Sequence, residues 1–158
     1  MKVLVALDSF KGSLSSVEAG EAVKRGVLRV CPDAECTVRP LADGGEGTVD
    51  ALNVALGGSL RRVTVTGPAG TPVEAVYSLA GDMAVMEMAS AAGITLVPDE
   101  ERNPLTATTF GVGEMIADAV RAGARRFVIG IGGSATNDGG AGMLQALGFS
   151  LCDADGNE

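Results

Sequence analysis

The residues with the plainest chemical potential form one glycine-rich run, Gly130-Ile-Gly-Gly-Ser-Ala-Thr-Asn-Asp-Gly-Gly140, directly after an apolar stretch. Its first part reads G-x-G-x-x-A, one form of the dinucleotide fingerprint, and Asp153 and Asp155 follow at roughly the 20-residue spacing that such sites use for a ribose. That fingerprint needs a helix to begin inside the motif, and Thr136-Asn-Asp-Gly-Gly140 is a poor first turn of helix. A longer loop fits better. Its bare backbone at Gly132, Gly133, Gly139 and Gly140 can offer successive N–H groups to phosphate oxygens, and Ser134 and Thr136 add hydroxyl donors. A purely structural turn is the competing reading.

The pattern D-G-G-x-G occurs twice, at Asp43-Gly-Gly-Glu-Gly47 and Asp138-Gly-Gly-Ala-Gly142, each time before an apolar helical stretch. Either Asp could cap a helix. Capping does not require three glycines in five positions. Paired loops that bring a carboxylate and bare backbone together would suit Mg²⁺ and a phosphoryl group, with Asp43 or Asp138 as metal ligand or base.

Lys11 is one of three lysines and follows the first predicted strand, where open parallel sheets bind ligands. With Ser9 and Ser13 beside it, it could hold a carboxylate or phosphate, or be a solvated loop lysine. Asp8 is expected to cap a loop amide. Glu87 interrupts an apolar stretch and needs a cation, a donor or an exposed face, and it is a candidate substrate-binding residue. Thr106, Thr108 and Thr109 could donate to an anion at the start of the next helix, although plain capping accounts for one of them.

Composition narrows the chemistry. The chain has no histidine, which excludes a His base, a Ser-His-Asp triad and a His-ligated metal built from these residues. No lysine follows a glycine, so the P-loop is missing. With one tyrosine, four phenylalanines and no tryptophan, an adenine ring would have to rest mainly on aliphatic walls. A net charge of −8 argues against nucleic acid as a partner. The first apolar run is too short for a signal peptide or membrane span, and three cysteines without C-x-x-C spacing fit a reducing cytoplasm.

Positioning these groups requires an α/β fold. Residues 2–8 read as a strand buried on both faces, followed from Ser15 by a helix with a Ser15-Ser-Val-Glu18 capping box and Pro32 as its stop. Residues 35–41 form a second strand, and a helix to about Leu56 completes a parallel βαβα beginning over residues 1–58. From 59 to 158 the character changes. Residues 60–66, 73–79 and 83–88 predict an antiparallel meander, followed by a helix over 110–122, a strand over 126–131, a short helix over 143–147 and a strand over 149–152. The Asp-Gly pair at 155–156 predicts a hairpin whose return strand lies beyond residue 158.

Taken in order, Asp8-Ser-Phe-Lys-Gly-Ser13, Ala42-Asp-Gly-Gly-Glu-Gly-Thr48, Glu87-Met-Ala-Ser-Ala-Ala-Gly93, Asn103-Pro-Leu-Thr-Ala-Thr-Thr-Phe-Gly111 and residues 130–142 resemble the bacterial-type glycerate kinase family. Members of that family are longer than this chain. The resemblance implies transfer of the γ-phosphoryl group of ATP to D-glycerate with Mg²⁺, giving 2-phosphoglycerate. It also implies that a second α/β domain with a mixed sheet is inserted into a Rossmann-like one, with the site in the cleft between them. Lys11 and nearby hydroxyls would then bind the glycerate carboxylate or a phosphate. Gly132, Gly133, Ser134 and Thr136 would cradle phosphates, and Asp43 or Asp138 would hold Mg²⁺ or accept the hydroxyl proton. Two rival readings are an NAD-type dinucleotide module and an inactive structural piece that self-associates, as a homodimer for instance, through an open strand edge.

Overall fold

The chain, described here from a computed structural model over residues 1–10 and 13–156, begins with two parallel strands, β1 (Lys2–Val5) and β2 (Glu35–Val38), paired from Lys2↔Glu35 to Val5↔Val38. Between them runs α1 (Ser16–Val30). The predicted capping box is present: Glu18 N–H donates to Ser15 Oγ and Ser15 N–H to Glu18 Oε2, 3.2 and 3.0 Å. Pro32 pushes Cys31 out of the helical region, and α1 stops there. Burial of β1 on both faces is not observed. Val5 is buried while Leu4 is 67% exposed, because α1 covers one face and no described element covers the other.

After α2 (Thr48–Leu56), a four-stranded sheet forms in the order β3-β4-β5-β6. β3 (Ser59–Thr66), β4 (Pro72–Ala80) and β5 (Met83–Glu87) are the predicted antiparallel meander, and β6 (Arg126–Gly130) joins β5 in parallel. The path from β5 to β6 passes through α3 (Ala89–Ala92), two 3₁₀ turns (Ile94–Leu96 and Asp99–Glu101) and α4 (Phe110–Arg121). The short α3 had no signal in the sequence, since four small residues carry no periodicity.

Strand alternation gives this sheet two covered faces. Val65, Ala75, Tyr77, Ala84 and Met86 pack against Ala91 and Ala92 of α3 and against Val112, Met115 and Ala119 of α4. On the opposite face lie Ser78 and Val85 with α2, where Ser78 Oγ and Asn53 Oδ1 are 2.6 Å apart. α2 thus packs on the four-stranded sheet.

α5 (Ala141–Ala146) packs against α4. Residues 149–152 are not a strand as predicted. A strand requires a hydrogen-bonding neighbour, none of the described residues pairs with this segment, and Phe149 is 60% exposed. Beyond it Asp153 closes a turn, its carbonyl accepting Gly156 N–H. No helix among the described residues is long and apolar enough to cross a membrane.

Candidate active site

Three loops leave the carboxyl ends of parallel strands and meet. The loop after β2 turns at Asp43, whose Oδ1 accepts Gly45 N–H at 2.9 Å, while Thr48 Oγ1 donates to Gly45 O. The loop after β6 lies back to back with it. Gly132 N–H donates to Gly44 O at 3.0 Å, and a Cβ on Gly130 would stand 2.5 Å from that same oxygen. Only bare backbone permits this approach. The segment after β5 closes the other side, with Met88 N–H donating to Gly130 O, Ile94 N–H to Gly133 O and Ala135 N–H to Ala92 O.

The two D-G-G-x-G copies do different work. Asp43 is exposed and caps no helix. Asp138 joins two helix starts: its Oδ2 accepts Thr109 N–H and Thr109 Oγ1–H, both at 2.8 Å, and Gly142 N–H at 3.1 Å, while Oδ1 accepts Gly140 N–H. Thr109 Oγ1 in turn accepts Met143 N–H of α5. Burial pushes the Asp138 carboxyl up, but these donors outweigh it and hold the group below the usual carboxylate value. Glu87 shifts the opposite way, raised chiefly by burial and secondarily by the Asp50 charge, against the Val49 N–H it accepts.

In the 130–142 loop several amides are already committed. The N–H groups of Gly133, Ser134, Asn137, Asp138 and Gly139 find no acceptor among the described residues. Ser134 Oγ accepts Thr136 N–H and lies 2.9 Å from Thr136 Oγ1, which holds the turn between them. Below this rim opens a cavity of about 510 Å³ with aliphatic walls, including Met88, Val112, Ile129 and Met143. Thr109, Ser134, Thr136, Asp138, Gly139 and Gly140 all line it.

The model of the glycerate kinase family matches residues 3–158. The chain belongs to the glycerate kinase family. It is 52% identical to the glycerate 2-kinase of Escherichia coli (strain K12) and 56% identical to the glycerate kinase of Bacillus subtilis (strain 168), each over 160 aligned residues. Both alignments cover all of this chain and 42% of the relative, so it spans less than half the length of these proteins. A crystal structure from Salmonella typhimurium LT2, assigned as a glycerate kinase 2, superposes with a TM-score of 0.90 at 51% identity, covering 100% of this chain and 43% of that one.

Not every predicted site residue of this glycerate kinase family member shares the large cavity. Ser9 and Ser13 line a separate hollow of about 260 Å³ with Glu46, Gly47 and Asp50. Within that hollow, the Cβ position of Gly47 lies 3.9 Å from Ser9 Cβ. Asp8 caps its loop as expected, accepting Ser9 N–H. Thr106 lines a third hollow of about 200 Å³ beside Arg102. Thr108 Oγ1 accepts Phe110 N–H at the start of α4. Glu87 reaches α2, and Gly132 is held against the 43–47 loop. Lys11 lies outside the described residues. Sequence reasoning missed the lock between Asp138 and Thr109; its only trace was a threonine just ahead of a helix start.

The residues fit a nucleotide with its metal ion. The uncommitted amides could serve phosphate oxygens, the cavity walls are aliphatic, and Asp43 has an exposed carboxylate that could serve a hard cation. Among the described residues no three His, Cys, Asp or Glu side chains cluster as a ligand set, so the other Mg²⁺ ligands would be phosphate oxygens and water.

Proposed function

We propose that this chain forms the phosphate-binding part of an ATP-dependent kinase that transfers the γ-phosphoryl group to a hydroxyl of D-glycerate, giving 2-phosphoglycerate, in the cytoplasm. The observation that carries this reading is the set of uncommitted amides at Gly133, Ser134, Asn137, Asp138 and Gly139, the last four on residues that line an aliphatic cavity. Backbone N–H groups that find no partner among the described residues are a ready anion cradle, and a polyphosphate satisfies several of them at once. The names of the relatives supply the acceptor.

On this reading the adenine rests against Met88, Val112, Ile129 and Met143, and the phosphates run along the 133–139 backbone. Mg²⁺ held by Asp43 would neutralise the developing charge on the phosphoryl oxygens. Asp138 is poorly suited to accept the glycerate proton, because a carboxylate already saturated by donors is a weak base. Lys11, Ser9 and Ser13 hold the glycerate carboxylate. Transfer of this kind depends on position and charge compensation.

The NAD reading loses its main support. α5 starts only at Ala141, well past the fingerprint glycines, and Asp155 sits in an exposed turn with its N–H on Asp153 Oδ1.

A coupled assay of ADP release with the full-length protein tests the assignment. D-Glycerate should drive turnover, and Asp43→Ala should lower kcat/KM by at least about 100-fold while the protein stays folded. No ADP release with D-glycerate, or normal turnover in D43A, would overturn it.

A further inference from the structure

Glu87 stands at the carboxyl end of β5, paired in register with Gly130 of β6, the residue that abuts Gly44. Its side chain reaches α2. Oε1 accepts Val49 N–H at 2.8 Å across 38 positions of sequence, in the first turn of α2. That helix has no local cap: its N-cap is Gly47, in a left-handed conformation at φ 92° and without a side chain to offer. Glu87 therefore supplies from a strand what a capping Ser or Asp would supply from the chain itself.

The consequence reaches beyond the helix. Gly47 ends the loop that carries Asp43, and the other end of that loop is tied through Gly44 O to Gly132 N–H. The loop is thus pinned at two points, once by backbone and once by the Glu87 carboxylate. We propose that Glu87 is a positioning residue for phosphoryl transfer, fixing the 43–47 loop, and with it the Asp43 carboxylate, against the 130–133 backbone. This rests on the kinase reading above. On this proposal Glu87 acts through α2 and the loop.

Three variants of the full-length protein separate the roles. Glu87→Ala removes the acceptor, Glu87→Gln keeps an acceptor of the same length without charge, and Glu87→Asp keeps the charge one methylene short. A misplacement of about 1 Å can cost on the order of 100-fold in rate. The expected result is therefore a fall in kcat of at least about 30-fold for E87A and about 10-fold for E87D, with KM for ATP moved less than about 3-fold, and recovery in E87Q to within about 3-fold of wild type. Hydrogen exchange should accelerate at the Val49 amide in E87A and stay slow in E87Q.

If E87A does not fold, the comparison of E87D with E87Q decides. Equal loss of kcat in E87A and E87Q would assign Glu87 a direct chemical role and overturn the proposal. So would faster exchange in E87A with unchanged kcat, the mark of a cap that positions nothing. Wild-type turnover is measured first: if it is absent with D-glycerate, the kinase reading falls and this proposal with it, whereas active wild type with unaffected variants sinks the proposal alone.

Discussion

Asp43 and Asp138 occupy the same five-residue pattern, yet one is exposed beside its own turn and the other takes four hydrogen bonds between two helices. Losing a hydrogen-bonded charge at such a joint strands several donors, so Asp138→Ala should destabilise the protein by about 2–3 kcal/mol, read from urea unfolding. Its pH behaviour has a definite sign. The folded carboxyl is depressed below its ordinary 3.8, so its contribution is present above that value and is lost as pH falls through the depressed one. The stability gap between wild type and D138A should narrow on acidification. Glu87 has the reverse sign. Its folded value is raised above 4.5, chiefly by burial and then by Asp50, the charged group facing it from α2, so its contribution is full below 4.5 and declines as pH rises through the raised value. Glu87→Gln should accordingly match wild type at acid pH and exceed it in unfolding midpoint near pH 7.

Between elements, the decisive contact is that of two loops with no side chains at the seam. A methyl group on Gly130 would meet Gly44 O at 2.5 Å, and one on Gly132 would meet Gly45 Cα at 2.8 Å. Backbone cannot yield as a side-chain tip can. Gly130→Ala should push the 43–47 loop away, costing about 1–3 kcal/mol of stability, with a drop in kcat larger than in a surface Gly→Ala control such as G26A, where nothing lies within 4 Å. Steady-state kinetics beside thermal unfolding of both variants checks this.

Across the whole molecule, the sheet is held to α4 by a buried polar chain. Tyr77, fully buried on β4, donates its hydroxyl to Asp118 Oδ2 at 2.8 Å and accepts Arg61 Nε–H at 3.0 Å. Burial and the Asp118 carboxylate both raise the phenol's pKa, so it stays a neutral donor. Tyr77→Phe leaves Asp118 and Arg61 short of a partner and should lower stability by about 1–2 kcal/mol, measured by urea denaturation. Because the chain spans 42% of the relatives it matches, activity is to be measured on the full-length protein.

Periodicity and caps alone determined much of the fold. The Ser15 capping box, the meander of β3, β4 and β5, the helix from Phe110 and the strand before Gly130 are local patterns, and each formed where its residues indicated. The composition likewise excluded histidine chemistry, and the five ordered motifs carried the family. What the sequence could not settle was every feature that joins distant segments. Two identical Asp-Gly-Gly patterns parted because Thr109 approaches only one of them, and Glu87 found its donor on a helix 38 residues away. The segment 149–152 has the composition of a strand but no described neighbour to pair with. Local preference selects an element, whereas hydrogen-bond satisfaction and close approach are properties of pairs, and the pairs exist only once the chain has folded.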